Sequence, residues 1–131
     1  MRLAEEILKF WFGTKDLNSN ISRRKVWFKP SSEFDKEIHT NFINSYNDAI
    51  AERLNHMKES QEGSLALILI FDQFSRNLFR KSPEAFATDI KAREITHHAI
   101  TKQYDKNISK VAKLFFYLPL EHSENMADQE M

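Results

Sequence analysis

The stretch LALILIFDQFSRNLFR, residues 65–80, decides the fold of this chain. Its first seven residues are all apolar, and the residues that follow return to the three- and four-residue apolar spacing of an amphipathic helix. A helix that has no polar face is buried on every side. We therefore predict a central helix over Leu65–Phe79, with a buried strand as the alternative for its first half, and the rest of the chain must cover it.

On the N-terminal side of this stretch, the apolar pattern predicts two more helices. Arg2–Phe12 carries a broad apolar stripe, and residues 34–57 repeat apolar side chains at helical spacing over a much longer range. Glycine suits the left-handed residue that often ends a helix, and serine is a favoured N-cap. The predicted breaks between the helices are at Gly13, at Ser31 or Ser32, and at Gly63 and Ser64.

On the C-terminal side, three further helical segments are predicted. The sequence Ser-Pro-Glu at 82–84 is a typical helix start, because it combines a capping hydroxyl, a proline at the first position and an early acid. Pro119 disfavours helix at the residue before it, so a break is predicted there. The segments are Ser82–Lys102, Asn107–Leu118 and Leu120–Glu130. No strand pattern survives, and we predict an all-α fold of antiparallel helix pairs in one domain, residues 1–131.

Composition excludes several classes of function. The 131 residues include 19 basic and 19 acidic side chains, so no overall field attracts nucleic acid or an anionic membrane, and the run Arg23-Arg24-Lys25 is short for a nucleic-acid site. The longest apolar run is too short to span a bilayer. The chain has no cysteine and only 2 glycines, which excludes disulfides, thiolate metal sites and glycine-rich phosphate loops. With acids near the N-terminus where a secretory signal would be apolar, we expect a cytoplasmic protein without cofactor.

Asp72 is the polar residue that most needs an explanation, because it follows seven apolar residues on the most buried helix. A buried carboxylate that is neither paired nor protonated costs roughly several kcal/mol of folding free energy. Arg76 and Arg80 follow it by four and eight residues on the same helix face, so we predict a partly buried ion pair of Asp72 with Arg76. Gln73 and Asn77 are predicted to form a second polar pair, turned by about 100° on the helix.

A second polar group lies near the C-terminus and consists of Glu121, His122, Glu124 and Asp128. If the segment is helical, its three acids share one face, and such like charges destabilise a helix unless something cationic faces them. His122 points away from Glu121. The candidates for the facing cation are Arg23, Arg24, Arg76, Arg80 and a metal ion. Together the two groups are the candidate ligand-binding residues: Asp72, Gln73, Arg76, Asn77, Arg80, Glu121, His122, Glu124 and Asp128.

Long parts of the chain resemble a mostly bacterial family known as domain of unknown function 924. The resemblance is carried by ILKFWFG (7–13), VWFKPSSEFDKEI (26–38), LALILIFDQFSRNLFRKSPEAFATDIKA (65–92) and FFYLPLEHSENMADQE (115–130). It implies an all-helical, right-handed superhelix similar to tetratricopeptide-repeat proteins, and it implies no particular reaction. In the family, proline is usual where this chain has Ser75, and members usually continue past residue 130. We therefore expect a chain shortened at the C-terminus, with an apolar face that is exposed or covered by a second copy.

Three functions fit these observations. The first is a binding module, with an arginine- and carboxylate-lined groove for a protein, a peptide or an anionic small molecule, because the guanidinium fork suits carboxylate and phosphate. The second is an enzyme or metalloprotein of unknown chemistry, which would use the carboxylates of Asp72, Glu121, Glu124 and Asp128. The third is a structural or assembly role, in which the charged cluster is an ion-pair network that fixes the register of the helices.

Overall fold

The computed structural model describes residues 2–122, and over that range its regular secondary structure is entirely helical. This confirms the predicted all-α class. Three short 3₁₀ turns lie at Lys25–Trp27, Asn55–Glu59 and Pro83–Phe86, and a π-helical segment, Leu69–Phe74, joins the third and fourth α-helices. The α-helices are α1 (Arg2–Phe12), α2 (Ser32–Ile50), α3 (Gln61–Ile68), α4 (Ser75–Leu78), α5 (Asp89–Thr101) and α6 (Lys110–Glu121).

The N-terminal helices begin as predicted, but α2 is shorter than its apolar pattern. Ser31 is its N-cap, and the side chain accepts a hydrogen bond from the Phe34 N–H. The helix ends at Ile50 rather than near Met57, because the chain turns at Glu52, which has a positive φ of 66°. Met57 is still buried, but it reaches the core from the 3₁₀ turn that follows. The spacing had run on by chance across a turn.

The central helix begins about one turn earlier than its apolar run and continues through the predicted break. Ser60 is the N-cap of α3, and its side chain accepts from the Gly63 N–H. Gly63 lies inside this helix. Only glycine fits there without a shift of the backbone, because a Cβ would sit 2.0 Å from the Met57 carbonyl oxygen. Its role is therefore a close approach of two backbones, and the prediction of a break at Gly63 and Ser64 was wrong.

The core surrounds α3 and the π-helical segment. Residues 65–70 are at most 1% exposed, which confirms that this helix is buried on all sides. Aromatic side chains from three other parts of the chain pack beside it, with Trp11 stacked on Trp27 at 5.9 Å and Phe115 edge-on to both rings. Helices α1, α5 and α6 all contact α3.

Three predicted boundaries in the C-terminal half were wrong. One is the start of α6, which is Lys110 rather than Asn107, because Asn107 has a positive φ of 60° and Ser109 is the N-cap. The helix predicted from Ser82 is divided, because Ser82 caps the 3₁₀ turn Pro83–Phe86 and α5 begins only at Asp89. Helix α6 continues through Pro119 to Glu121. Pro119 gives up one main-chain hydrogen bond, to the carbonyl four residues earlier, and its ring is buried.

The remainder of the predicted sixth segment, residues 123–130, lies outside the described residues. The right-handed superhelical arrangement also stays a prediction. Between residues 2 and 122, no helix is both long and apolar enough to cross a membrane.

Candidate functional site

Asp72 lies in the π-helical segment and is 1% exposed. The helix widens there, since the Ser75 N–H donates to the carbonyl of Ile70, five residues earlier. The Phe71 carbonyl instead accepts from two hydroxyls, Ser75 Oγ at 2.8 Å and Thr88 Oγ1 at 2.6 Å. Single π turns inside α-helices occur frequently at functional sites. The widened turn thus presents a buried carboxylate in the middle of the core helix.

Both carboxylate oxygens of Asp72 have polar partners. Oδ2 accepts from Gln73 Nε2 at 2.7 Å, and Oδ1 accepts from the Arg76 guanidinium at 3.2 Å. Oδ1 also lies 2.8 Å from Nδ1 of His122, at the end of α6. These contacts offset the loss of hydration that burial of a charge imposes. The predicted ion pair of Asp72 with Arg76 is present.

Arg76 joins two carboxylates. Besides Asp72, whose main-chain carbonyl its guanidinium also contacts, it binds Asp89 on α5, with NH1–Oδ1 at 3.1 Å and NH2–Oδ2 at 3.2 Å. Its guanidinium carbon lies 5.2 Å from the centre of the Phe86 ring. We call Asp72, Gln73, Arg76, Asp89 and His122 the Asp72 cluster. With a neutral imidazole, the cluster carries one more negative than positive charge.

The expectation that Arg80 helps to compensate the charge of Asp72 was wrong. This arginine reaches α2 instead and binds Asp35 through two hydrogen bonds, Nε–Oδ2 at 2.8 Å and NH2–Oδ1 at 3.0 Å. Asn77 donates to the same carboxylate at 2.8 Å. The reason is that the helix ends at Phe79, whose φ of −124° and ψ of 37° turn the chain before Arg80 can repeat the helical spacing. The predicted pair of Gln73 with Asn77 was also wrong. Each amide donates to a carboxylate instead, Gln73 to Asp72 and Asn77 to Asp35.

We call the hydrogen bonds of Asp35 with Asn77 and Arg80 the Asp35 contact, and this contact shifts the pKa values of Asp35 and Arg80. Partial burial alone would raise the pKa of the Asp35 carboxyl, but the hydrogen bonds from Arg80 and Asn77 outweigh it and hold the pKa below its ordinary value. The hydrogen bond to Asp35 in turn raises the pKa of the Arg80 guanidinium. Both side chains are therefore charged at neutral pH and tie α2 to the end of the central helix.

Two acids of the site were not predicted, Asp35 and Asp89, yet the sequence carries a signal for each. Asp35 stands three residues before Ile38 on the apolar stripe of α2, and Asp89 stands three before Ala92 on the small-residue stripe of α5. An acid on a stripe that faces the core needs a cation, which is the argument that singled out Asp72.

The acidic C-terminal group is only partly within the described residues. Glu121 is exposed, and His122 turns toward Asp72. Glu124 and Asp128 lie outside the described residues. Arg24, one of the cations expected to face these acids, donates instead to the carbonyls of Phe10 and Trp11 at the end of α1, both at 2.8 Å. Among residues 2–122, no three histidine or acidic side chains converge in a group that could hold a metal ion.

The chain with this helical fold belongs to a recognised class of protein. The family model described as "Bacterial protein of unknown function (DUF924)" matches residues 7–131, and the chain is a member of that family. No curated protein matches the chain.

One solved structure is similar over almost the whole chain. It is ATU0120, a protein of unknown function from Agrobacterium tumefaciens, with 35% sequence identity and a TM-score of 0.88. The match covers 98% of this chain and 69% of that one. The all-helical fold is thus shared with that protein, which is itself of unknown function.

Proposed function

We propose that the protein is a helical binding module and that its binding surface is the outer side of the Asp72 cluster. The observation that carries this proposal is the position of Phe86, which is 59% exposed and lies against the guanidinium of the half-buried Arg76. Ile90, one turn further on, is 61% exposed. A large aromatic side chain exposed beside an arginine is typical of protein interaction sites.

A protein or peptide fits this surface better than an anionic small molecule does. Arg76 is already matched by Asp72 and Asp89, and Arg80 by Asp35, so an anion would have to compete with carboxylates held in place by the fold. The exposed Phe86 and Ile90 instead offer contact area to an apolar side chain. A second copy of the chain is one such protein, and sedimentation at several concentrations tests it.

A peptide-display selection tests the proposed surface. Random peptides are selected on the wild-type protein, and the selected pool is then assayed on each variant. We expect the surviving peptides to bind wild type and to lose about tenfold or more in affinity for Phe86→Ser and Arg76→Ala. Ile50→Ser is the matched control, because Ile50 is 41% exposed at the end of α2.

If every selected peptide binds Phe86→Ser as tightly as wild type, the surface lies elsewhere and the proposal is refuted. The anionic alternative is tested beside it by thermal shift with inorganic phosphate and citrate, comparing wild type with Arg76→Ala and Arg80→Ala. If neither anion raises the wild-type melting temperature, the peptide alternative stands alone.

A second candidate function is catalysis, and the contact of Asp72 with His122 favours it. A buried carboxylate beside Nδ1 orients the imidazole and leaves Nε2 to accept a proton, which is the role of such pairs in hydrolases. The His122 side chain is 30% exposed and can therefore meet a ligand. The chain has no cysteine, so the group activated would not be a thiol.

Chromogenic carboxylic and phosphoric esters test the catalytic candidate. We expect any turnover by wild type to be lost in His122→Gln and retained in His39→Gln, whose imidazole is exposed on α2. Turnover that persists in His122→Gln, or no turnover of any ester by wild type, would count against it.

The structural alternative predicts a different outcome. If the Asp72 cluster only fixes the helices, its variants lower stability and no peptide is selected at all.

In either case we propose a superhelical arrangement like that of tetratricopeptide-repeat proteins, which would leave helix faces free to bind. We also propose a cytoplasmic location, which suits a chain without cysteine.

A further inference from the structure

We propose that Arg23, Lys25, Phe28 and Lys29 form a second binding surface, which takes an acidic segment of a partner protein that carries an apolar side chain next to its carboxylates. These four residues lie in and beside the 3₁₀ turn Lys25–Trp27, between α1 and α2. All four are exposed. An open depression of about 360 Å³ is lined by three of them and by Arg24. We call this the basic surface.

The charge of the basic surface is not balanced by the fold. Between Asp16 and Glu33 the chain has four cations and no acid, although the net charge of the whole chain is zero. Within residues 2–122, no carboxylate forms an ion pair with the three exposed cations, whereas the arginines of the Asp72 cluster and of the Asp35 contact are matched. An anion can bind at the basic surface without displacing a carboxylate, which it cannot do at Arg76.

The backbone of this surface is held in one conformation. The Phe28 and Lys29 N–H groups both donate to the Lys25 carbonyl at 3.0 Å. Arg24 fastens the turn to the core, because its guanidinium binds two carbonyls at the end of α1 and lies 5.7 Å from the centre of the Phe34 ring. The exposed ring of Phe28 packs edge-on against Trp27. A surface ordered in advance loses less entropy when it binds.

The shape and the amount of charge favour an acidic protein segment over other anions. Small-molecule sites enclose about 70–90% of their ligand, and this depression is open to solvent. Proteins that bind DNA tightly contact about six to ten phosphates, and this surface offers three free cations. The aromatic ring of Phe28 adds an apolar contact that a simple anion would not use. An acidic segment with an apolar side chain uses both features.

The test is fluorescence anisotropy with a labelled peptide of alternating glutamate and phenylalanine. We expect it to bind wild type, and we expect affinity to fall about tenfold or more in Arg23→Gln/Lys25→Gln and in Phe28→Ser. Affinity should also fall when salt is raised from about 50 to about 300 mM. Lys102→Gln, which removes an exposed cation at the end of α5, is the matched control and should bind as wild type does.

Two further probes decide between kinds of partner. A peptide of glutamate and serine with the same charge should bind more weakly, because it cannot contact Phe28. Single-stranded oligonucleotide of equal charge should bind no better than that peptide. The proposal is overturned if wild type does not bind the glutamate–phenylalanine peptide, or if the basic-surface variants bind it with unchanged affinity. It is also overturned if the oligonucleotide binds wild type as tightly as that peptide does. Phe86→Ser should leave this binding intact, which separates it from the function proposed above.

Discussion

The Asp72 carboxylate and the His122 imidazole meet at 2.8 Å, although fifty residues of chain separate them. The contact joins the widened turn of the central helix to the last turn of α6. Arg76 binds the same carboxylate and carries the network on to α5. One buried acid therefore connects three parts of the chain, and its removal should be felt throughout the fold.

Asp72→Asn should lower the free energy of unfolding by about 1–3 kcal/mol, because a charge-assisted acceptor is lost at a buried position. Urea denaturation of both proteins measures this difference. Asp48→Asn is a suitable control, since Asp48 is 45% exposed in its pair with Arg53, and we expect a change below about 0.5 kcal/mol. A similarly small change for Asp72→Asn would mean that the carboxylate is solvated.

The Asp35 contact predicts a loss of stability in acid. Its native pKa is lower than its ordinary value, so its contribution is present above about pH 4 and is lost as the pH falls through the native pKa. We expect Asp35→Asn to be less stable than wild type at neutral pH, by about 1 kcal/mol because Arg80 is partly exposed, and the difference to shrink in acid. A difference that does not vary with pH would contradict this assignment.

Gly63→Ala should destabilise the protein even though alanine is the better helix former. Its Cβ would sit 2.0 Å from the Met57 carbonyl oxygen, and the backbone must move to admit it. We expect a cost of about 1–3 kcal/mol by chemical denaturation, as for an overpacked core. At Gly13 a Cβ meets nothing, so Gly13→Ala isolates the cost of a positive φ. A Gly63→Ala variant as stable as wild type would show that the two backbones are further apart.

Tyr117 should ionise at a higher pH than an ordinary tyrosine. Burial, with a hydrogen bond to Asp105 at 2.5 Å, raises the pKa of its hydroxyl to about 12. Because the native pKa is the higher one, stability from the neutral hydroxyl is present below about pH 10 and is lost as the pH rises toward that value. Absorbance titration should lose its step near pH 12 in Tyr117→Phe. Persistence of that step in Tyr117→Phe would refute the assignment.

The sequence predicts the fold class and the buried ion pair because both depend on local spacing. The apolar run at 65–71 requires burial from all sides, and Asp72 with Arg76 are neighbours on one helix. The partners of Arg80 depend instead on where the central helix ends and on which helix packs beside it. Spacing along one helix contains neither fact. For the same reason, the contact between Asp72 and His122 could not be derived from periodicity.

The most direct test of the account is the tautomer of His122, read from long-range nitrogen–proton NMR correlations at a pH where the imidazole is neutral. If the buried Asp72 carboxylate accepts a hydrogen bond from Nδ1, the proton of the neutral ring resides on Nδ1 and Nε2 is bare. The exposed imidazole of His39 serves as the reference in the same spectrum and should favour the proton on Nε2. A His122 ring protonated on Nε2, like that reference, would contradict the central claim.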